Sequence, residues 1–186
     1  MSSETDHSKT ALRRSLRLRQ ALLPADYLRT ASDAMQDKVL ALLTYRAAKS
    51  IFLYIHMPHE PATDRILAQA LADGKAVFVP RCVSRTEMLA VRIRDLSGMK
   101  PGAFGIPEPE DVTETAAAAD LDLILVPCLA AAPDGRRLGH GAGYYDRFLS
   151  AQGGADRAVC LCFRRMLCGD IPTDAYDIRI PHIITE

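Results

Sequence analysis

Short apolar runs of strand length, separated by stretches with helical periodicity, constrain the fold of this chain more than any other feature. Apolar runs buried on both faces are typical of strands in parallel sheets. Strands that alternate with helices predict helices on both faces of such a sheet. The apolar runs lie at 51–55, 76–80, 121–126 and 158–163, and residues 88–94 alternate apolar and charged side chains. The predicted fold class is α/β, with three α/β/α layers around a mostly parallel central sheet.

Amphipathic periodicity predicts the helices. In the first of them Leu12, Leu16 and Leu23 recur at spacings of four and seven, which places them on one face. The predicted helices cover 9–23, 24–43, 63–73 and 144–152. We expect residues 1–8 to form a flexible tail, and residues 97–111, which are rich in proline and glycine, to form an ordered loop.

Length and charge restrict the class of protein. The 186 residues suffice for one domain, 1–186, with a full core. The formal net charge of +0 gives no support for binding nucleic acid or an anionic membrane. The N-terminal residues are polar and lack the apolar core of a signal peptide. We therefore expect a cytoplasmic monomer with no nucleic-acid partner and no membrane partner.

The cysteines do not suggest a metal site or a disulfide framework. The chain has five of them and no Cys-x-x-Cys pair. We expect small, buried side chains in a reducing compartment. A reactive thiol at Cys128, in a loop after a predicted strand, is the alternative.

A glycine-rich stretch is the first candidate site. Gly139, Gly141 and Gly143 follow a buried strand and precede a predicted helix. Without Cβ atoms, their backbone can approach an anion, and the helix N-terminus adds N–H donors and a positive dipole end. Arg136 and Arg137 stand beside them and could contact phosphate. A tight turn that needs glycine for steric reasons explains the spacing equally well.

The residues after the glycines favour a nucleotide. The rings of Tyr144 and Tyr145 could stack on a base, and Asp146 could reach a metal ion carried by the nucleotide. The alternative is one core tyrosine followed by a solvated pair of Asp146 and Arg147.

Residues 122–127 and 135–147 together resemble the signature of the 5-formyltetrahydrofolate cyclo-ligase family, also called 5,10-methenyltetrahydrofolate synthetases. The second segment reads Gly-Arg-Arg-Leu-Gly-His-Gly-Ala-Gly-Tyr-Tyr-Asp-Arg. Further matches occur in order along the chain: Lys9-x-x-Leu12-Arg13, Glu60-x-x-Thr63, the Gly-Ile-Pro-Glu-Pro of 105–109, and Asp177 followed by 183–185. The resemblance therefore covers nearly the whole chain.

The resemblance implies a reaction and roles for individual residues. The formyl oxygen of 5-formyltetrahydrofolate would attack the γ-phosphate of ATP, and N10 would then close on the activated carbon to give 5,10-methenyltetrahydrofolate, ADP and phosphate. The implied ATP-binding residues are Lys9, Arg13, Arg137, Leu138, Gly139, His140, Gly141, Ala142, Gly143, Tyr144 and Tyr145. Glu60 and Tyr144 would bind the reduced folate, and Asp146 with Asp177 would bind Mg²⁺.

The residues alone allow other interpretations of these positions. Lys9 and Arg13 could belong to a solvated basic helix face, and Glu60 and Asp177 could be surface carboxylates. His140 could be a solvent-exposed loop residue.

The chain also departs from the family pattern. Cys-Leu-Ala-Ala-Ala at 128–132 stands where the family has Gly-Leu-Ala-Phe-Asp, Ala142 replaces a lysine of some members, and Arg165-Met166 replaces Glu-Gln. A divergent enzyme that uses ATP on another formyl or carboxyl substrate is therefore an alternative. A non-catalytic nucleotide-binding module is a second. A nucleic-acid-binding protein that uses the N-terminal arginines is a third, which the zero net charge disfavours.

Overall fold

The computed structural model describes the backbone of residues 2–102, 105–150 and 154–186, and the side chains of these residues from Ser8 on. Its helices are α1 (Ser2–Ala21), α2 (Ala25–Ala41), α3 (Leu43–Ala47), α4 (Asp64–Ala72) and α5 (Tyr144–Ser150). Its strands are β1 (Ser50–Phe52), β2 (Ala76–Cys82), β3 (Met88–Ile93), β4 (Met99–Pro101), β5 (Pro107–Pro109), β6 (Thr115–Ala116), β7 (Leu123–Pro127), β8 (Ala130–Ala131), β9 (Arg137–Leu138), β10 (Ala158–Leu161) and β11 (His182–Ile184).

A seven-stranded sheet forms the centre, in the order β11-β10-β7-β1-β2-β3-β6. Strands β11, β10, β7, β1 and β2 pair in parallel, whereas β3 is antiparallel to β2 and β6 is antiparallel to β3. The predicted α/β class with a mostly parallel sheet is confirmed. The apolar runs at 121–126 and 158–163 predicted the strands β7 and β10. In the structure every residue of these two strands is buried.

Two crossovers place helices on opposite faces of the sheet. The connection β1–α4–β2 moves along the sheet in one direction, and β7–α5–β10 moves in the other. Since such crossovers are right-handed, opposite directions put α4 and α5 on opposite faces. In agreement, the Phe52 ring lies 5.0 Å from the Phe148 ring of α5, and the neighbouring Ile51 is fully buried and points away from it.

The two crossovers diverge from the adjacent strands β1 and β7, which makes this pair the topological switch point of the sheet. Open α/β sheets bind ligands at such a point, outside the carboxyl ends of the strands. The loop after β1 carries Glu60, and the chain after β7 carries the glycine stretch. The topology therefore brings together two predicted parts of the site that are about 80 residues apart in sequence.

The structure corrects several predicted elements. Residues 2–8, expected to be a flexible tail, continue α1 back to Ser2, since the segment contains no glycine or proline to stop a helix. Residues 97–111 are not a plain loop, because β4 and β5 pair within them. The predicted helix 24–43 is divided at Leu42, whose extended backbone separates α2 from α3. The predicted end of the helix at 152 lies outside the described residues.

The five cysteines are all free thiols. Cys128, Cys160 and Cys162 are buried, and Cys82 and Cys168 are half-buried. Hydrogen bonding with the Cys160 and Cys162 thiols, together with burial, raises the pKa of the Cys128 thiol well above its usual value. A thiol with a raised pKa is a poor nucleophile, so the structure favours the buried interpretation of Cys128 over the reactive one.

Within the described part of the chain, no helix combines the length and the apolar character that crossing a bilayer requires.

Candidate active site

Two adjoining cavities open at the switch point. The apolar cavity, of about 400 Å³, lies beside Tyr54, Glu60 and Tyr145. The polar cavity, of about 520 Å³, lies beside Lys9, Arg13 and the C-terminal loop 174–178. Both cavities are lined by Arg137, Gly139, Gly143 and Asp146. The glycine stretch with its flanking residues therefore forms the wall between two chemically different compartments.

The glycine loop connects β9 to α5 and is surrounded by arginines. Arg13 donates from Nε to the Gly139 carbonyl at 3.1 Å, and Arg17 donates to the His140 carbonyl at 3.0 Å. Arg147 donates to the Ala142 carbonyl at 2.6 Å. These bonds place three guanidinium groups around one loop, so the field at the loop favours an anion.

Two of these glycines have conformations that other residues rarely adopt. Gly141 has φ of +118° and Gly143 has φ of +68°. A Cβ atom on Gly143 would also come within 2.8 Å of an Arg147 guanidinium nitrogen. Steric need thus explains part of the glycine spacing, and the arginines around the loop are the separate observation that points to an anionic ligand.

Arg137 is the most unusual side chain of the site. It is 7% exposed, and its Nη2 donates to Oδ1 of Asp146 at 2.7 Å. Its Nε is buried and has no hydrogen-bond partner among the described atoms. Buried donors are nearly always satisfied, so this unpaired Nε is an exception at the centre of the site. Arg137 as a residue lines both cavities and therefore lies at their boundary.

Lys9 is held by two carboxylates of the C-terminal loop. Its Nζ lies 2.8 Å from Oδ2 of Asp174 and 2.5 Å from Oδ2 of Asp177. Lys9 is 5% exposed, so it does not belong to a solvated helix face. Asp177 likewise lines the polar cavity and is not a free surface carboxylate. These bonds join α1 to the loop before β11 across the polar cavity.

Glu60 and His140 meet at the wall of the apolar cavity. Glu60 is 6% exposed, and its Oε1 lies 2.8 Å from Nε2 of His140. Its Oε2 accepts a hydrogen bond from the Met57 amide at 2.8 Å. Burial, followed by the negative charge of Glu60, raises the pKa of both Tyr54 and Tyr145 well above the usual value. The two phenols therefore stay neutral. His140 lines the apolar cavity, so it is not the solvent-exposed loop residue of the alternative interpretation.

The structure divides the predicted ATP-binding residues between the cavities. Lys9, Arg13, Leu138 and Gly141 line the polar cavity alone. His140, Ala142, Tyr144 and Tyr145 line the apolar cavity alone. Arg137, Gly139 and Gly143 line both. The stretch predicted as one nucleotide site therefore contributes some residues to the polar cavity and others to the apolar cavity.

Sequence reasoning missed other wall residues. Arg17 and Cys82 line the apolar cavity, as does Glu108 of β5, which is buried. Asp174 and Tyr176 line the polar cavity. Only Glu108 had a signal, since it lies in the Gly-Ile-Pro-Glu-Pro segment quoted for the family resemblance. The other four come from segments whose position depends on tertiary packing.

The ion pairs of Lys9 predict how stability depends on pH. The hydrogen bond from Lys9 is the main cause that lowers the pKa of Asp174. Burial alone would lower the pKa of Lys9, but the hydrogen bonds that Lys9 donates to Asp174 and Asp177 outweigh it and raise the pKa above the usual 10.5. The Asp174 contribution is therefore present above its unfolded pKa of about 3.9 and is lost as pH falls through the lower folded value. The Lys9 contribution is present below about 10.5 and is lost as pH rises further.

We therefore expect a Lys9→Met variant to melt below the parent protein between about pH 5 and pH 10, and the difference in Tm to shrink toward pH 3 and above pH 11. Melting curves across this range test it. Lys38→Met is the matched control, because Lys38 is exposed and donates to the Thr185 carbonyl, which does not titrate. If the difference in Tm between Lys9→Met and the parent protein depended on pH as little as that of the control, the ion pairs would not stabilise the fold.

Fold and site together define an α/β enzyme that places an arginine-lined glycine loop between a polar and an apolar compartment. The model of the 5-formyltetrahydrofolate cyclo-ligase family matches residues 5–186. The chain belongs to this family, whose members are ATP-dependent ligases.

Individual relatives agree over nearly the full length. A 5-formyltetrahydrofolate cyclo-ligase of Mus musculus is 30% identical, with 96% of this chain and 94% of the relative covered. A probable 5-formyltetrahydrofolate cyclo-ligase of Caenorhabditis elegans is 29% identical, with 96% and 92% covered. The solution structure of Aquifex aeolicus 5,10-methenyltetrahydrofolate synthetase superposes with a TM-score of 0.82 at 27% identity, covering 94% of this chain and 88% of that one.

Proposed function

We propose that this protein converts 5-formyltetrahydrofolate to 5,10-methenyltetrahydrofolate, with ATP converted to ADP and phosphate. The observation that carries the proposal is the buried Arg137, which lines both the polar and the apolar cavity and whose Nε has no hydrogen-bond partner among the described atoms. A reaction in which a phosphoryl group passes from a nucleotide to a folate needs an anion-binding donor at the boundary between the two substrates.

The chemistry requires positioning more than covalent participation by the protein. The formyl oxygen attacks the γ-phosphorus, the bond to the β-phosphate oxygen breaks, and ADP leaves. N10 then attacks the activated formyl carbon and loses its proton, and phosphate leaves with the oxygen that came from the formyl group. Phosphoryl transfer of this kind is accelerated mainly by alignment and by neutralising charge. Arg137 is placed to do both, since its guanidinium is held by Asp146 in a fixed orientation.

The polar cavity fits the triphosphate of ATP. Lys9, Arg13 and Arg137 supply positive charge, and Gly141 and Gly143 let the backbone approach closely. Lys9 is paired with Asp174 and Asp177, so phosphate binding would exchange part of that pairing for contacts to the nucleotide.

Asp146 and Asp177 are the residues that would hold Mg²⁺, which supplies neutralisation of phosphate charge. Arg137 and the Ile178 amide both bind Oδ1 of Asp146, and Lys9 and the Asp174 amide both bind Oδ2 of Asp177. These bonds use one oxygen of each carboxylate. Mg²⁺ commonly takes one or two carboxylates and completes its shell with water and substrate phosphates.

The apolar cavity fits the flat pterin ring of the folate. Glu60 lines this cavity as a buried acceptor that could receive ring N–H groups in exchange for its present partner His140. Tyr144 lines the same cavity, with its hydroxyl donating to the Ser84 carbonyl at 2.7 Å. A buried carboxylate that pairs with a specific donor set gives strong discrimination, because a substrate without those donors leaves it unsatisfied.

The departures from the family pattern weigh little against a folate substrate. Ala131 and Ala132 are fully buried, and neither is among the described residues that line the two cavities. Ala131 instead pairs with Arg137 in the β8–β9 ladder. Met166 is also buried in the core. Among the replaced residues, Ala142 of the glycine loop is the one that lines a described cavity, and the alternative of another formyl or carboxyl substrate rests mainly on it.

A turnover assay tests the proposal. The product 5,10-methenyltetrahydrofolate absorbs in the near ultraviolet, so we expect an absorbance rise from 5-formyltetrahydrofolate that requires Mg-ATP and matches ADP release one to one. Glu60→Gln should raise the KM for the folate by about 10-fold or more and leave the KM for ATP nearly unchanged.

Glu114→Gln is the matched control, since Glu114 is paired with Arg92 and lies outside the lining of both cavities. No absorbance rise at high enzyme concentration would refute the folate substrate. ADP release with another formyl or carboxyl compound would then favour a divergent enzyme, and ATP binding without ADP release would favour the non-catalytic module.

The monomeric state, the cytoplasmic location and the absence of nucleic-acid and membrane partners stay predictions. The free thiols of all five cysteines suit a reducing compartment. Nucleic-acid binding would depend on Arg13, Arg14, Arg17 and Arg19, of which Arg13 and Arg17 are bonded to the glycine loop.

A further inference from the structure

Tyr176 is an exposed aromatic residue on the wall of the polar cavity. Its relative exposure is 85%, the highest among the large apolar side chains of the described residues. It supplies the single aromatic ring among the described residues that line this cavity. In the described part of the chain its ring takes part in no aromatic pair and no cation–π pair. The ring thus has a free face beside a cavity.

The backbone around Tyr176 is fixed although the ring is free. The Tyr176 amide donates to Oδ1 of Asp174 at 2.9 Å, and the Ile178 amide donates to Oδ1 of Asp146 at 3.1 Å. Asp174 is in turn bonded to the buried Lys9. The backbone that carries the ring is therefore held at the cavity by hydrogen bonds of the Tyr176 and Ile178 amides. Its position does not depend on packing of the Tyr176 side chain.

Charge is distributed unevenly around the polar cavity. Arg13 and Arg147 are bonded to the glycine loop, on the side of the cavity that Arg137 also lines. Tyr176 lies on another part of the lining, the C-terminal loop 174–178. A ligand that contacts both parts of the lining needs a polyanionic part for the arginines and a flat π-face for the ring. A nucleoside triphosphate has both parts.

We infer that Tyr176 stacks on the nucleobase of the bound nucleotide. The inference rests on the proposed function, which puts ATP in the polar cavity, and adds the residue that holds its base. Stacking on an aromatic ring tolerates any base, so Tyr176 contributes affinity for the base, and the arginines contribute affinity for the phosphates.

The inference separates the two parts of the ligand. Tyr176→Ala should weaken ATP binding by about 5- to 100-fold, the range that loss of one base–aromatic stack produces. Binding of inorganic tripolyphosphate, which has no base, should stay unchanged. Tyr176→Phe keeps the ring and should bind ATP as the parent protein does. Equilibrium dialysis with labelled ligands measures all three, so the readout does not depend on turnover.

Fluorescence gives a direct test, because the chain has no tryptophan. In a Tyr176→Trp variant, ATP should change the indole emission saturably, and tripolyphosphate should reverse this change by competition without causing one itself. Leu43→Trp is the matched control, since Leu43 is 80% exposed at the start of α3 and lines neither cavity. Its emission should not respond to ATP beyond the absorbance of the nucleotide.

The outcomes separate this inference from the proposed function. If ATP binds the parent protein but Tyr176→Ala binds it equally well and the Tyr176→Trp emission is unchanged, the base lies elsewhere and the inference is wrong while the ATP site stands. If neither ATP nor tripolyphosphate binds the parent protein, the proposed function fails and the inference fails with it. Weaker binding of both ligands to Tyr176→Ala would also refute stacking, because it would mean that the loop had moved.

Discussion

Replacing Arg137 with lysine is expected to lower kcat by about 10²- to 10³-fold, the usual cost of removing one preorganised donor from a developing charge. Lysine keeps the positive charge opposite Asp146 but loses the rigid guanidinium fork of the residue that lines both cavities. The KM values for ATP and folate should change much less than kcat, since the lost contact forms fully only as the phosphoryl group crosses the boundary. Steady-state kinetics with each substrate varied in turn measures this split.

Arg136→Lys is the control for Arg137→Lys. Arg136 is the adjacent residue and also pairs with carboxylates, Asp134 at 2.7 Å and Asp170 at 3.0 Å, but it lines neither cavity. Its replacement should leave kcat within about 2-fold of the parent value, because exposed ion pairs contribute little. Equal kinetic losses in the two variants, or an Arg137→Lys protein with normal kcat, would contradict a role for the shared wall.

The sheet could be predicted because its information is local. The runs that became β1, β2, β7 and β10 are apolar on both faces, and such runs leave few alternatives to a covered parallel sheet. The short strands could not be predicted from local pattern. β8 and β9 have two residues each, too few to show a periodicity, and they pair as a local hairpin across the turn at Pro133-Asp134-Gly135.

The site was predictable only in outline. The glycine stretch was identified because glycines, arginines and a following helix are adjacent in sequence. Its division into two faces was not, because a strand–loop–helix segment does not show which side each residue presents. The pairing of Lys9 with Asp174 and Asp177 joins residues about 165 positions apart, and no local pattern indicates it. Tyr176 was missed for the same reason.

Asp146 is both a proposed Mg²⁺ ligand and the partner of Arg137, so its replacement should affect more than metal binding. Its Oδ1 accepts from Arg137 and from the Ile178 amide, so Asp146→Ala would strip an acceptor from both and leave the buried Arg137 unpaired. Removing one partner of a buried ion pair typically costs about 3–5 kcal/mol. Because the Asp146 side chain is 21% exposed, we expect the lower end of that range or less. Activity loss in Asp146→Ala would therefore mix a damaged fold with a lost metal ligand.

Asp146→Asn separates the two effects, since asparagine keeps an acceptor oxygen for Arg137 and Ile178 but removes the charge. We expect kcat/KM for Mg-ATP to fall on the order of 10²-fold, and the Mg²⁺ concentration for half-maximal rate to rise, while Tm falls less than in Asp146→Ala. Asp156→Asn is the control, because Asp156 is exposed in the turn Gly154–Arg157 and lines neither cavity. A normal Mg²⁺ requirement in Asp146→Asn would mean that Asp146 only orients Arg137. The Mg²⁺ ligands would then be Asp177 or the phosphates themselves.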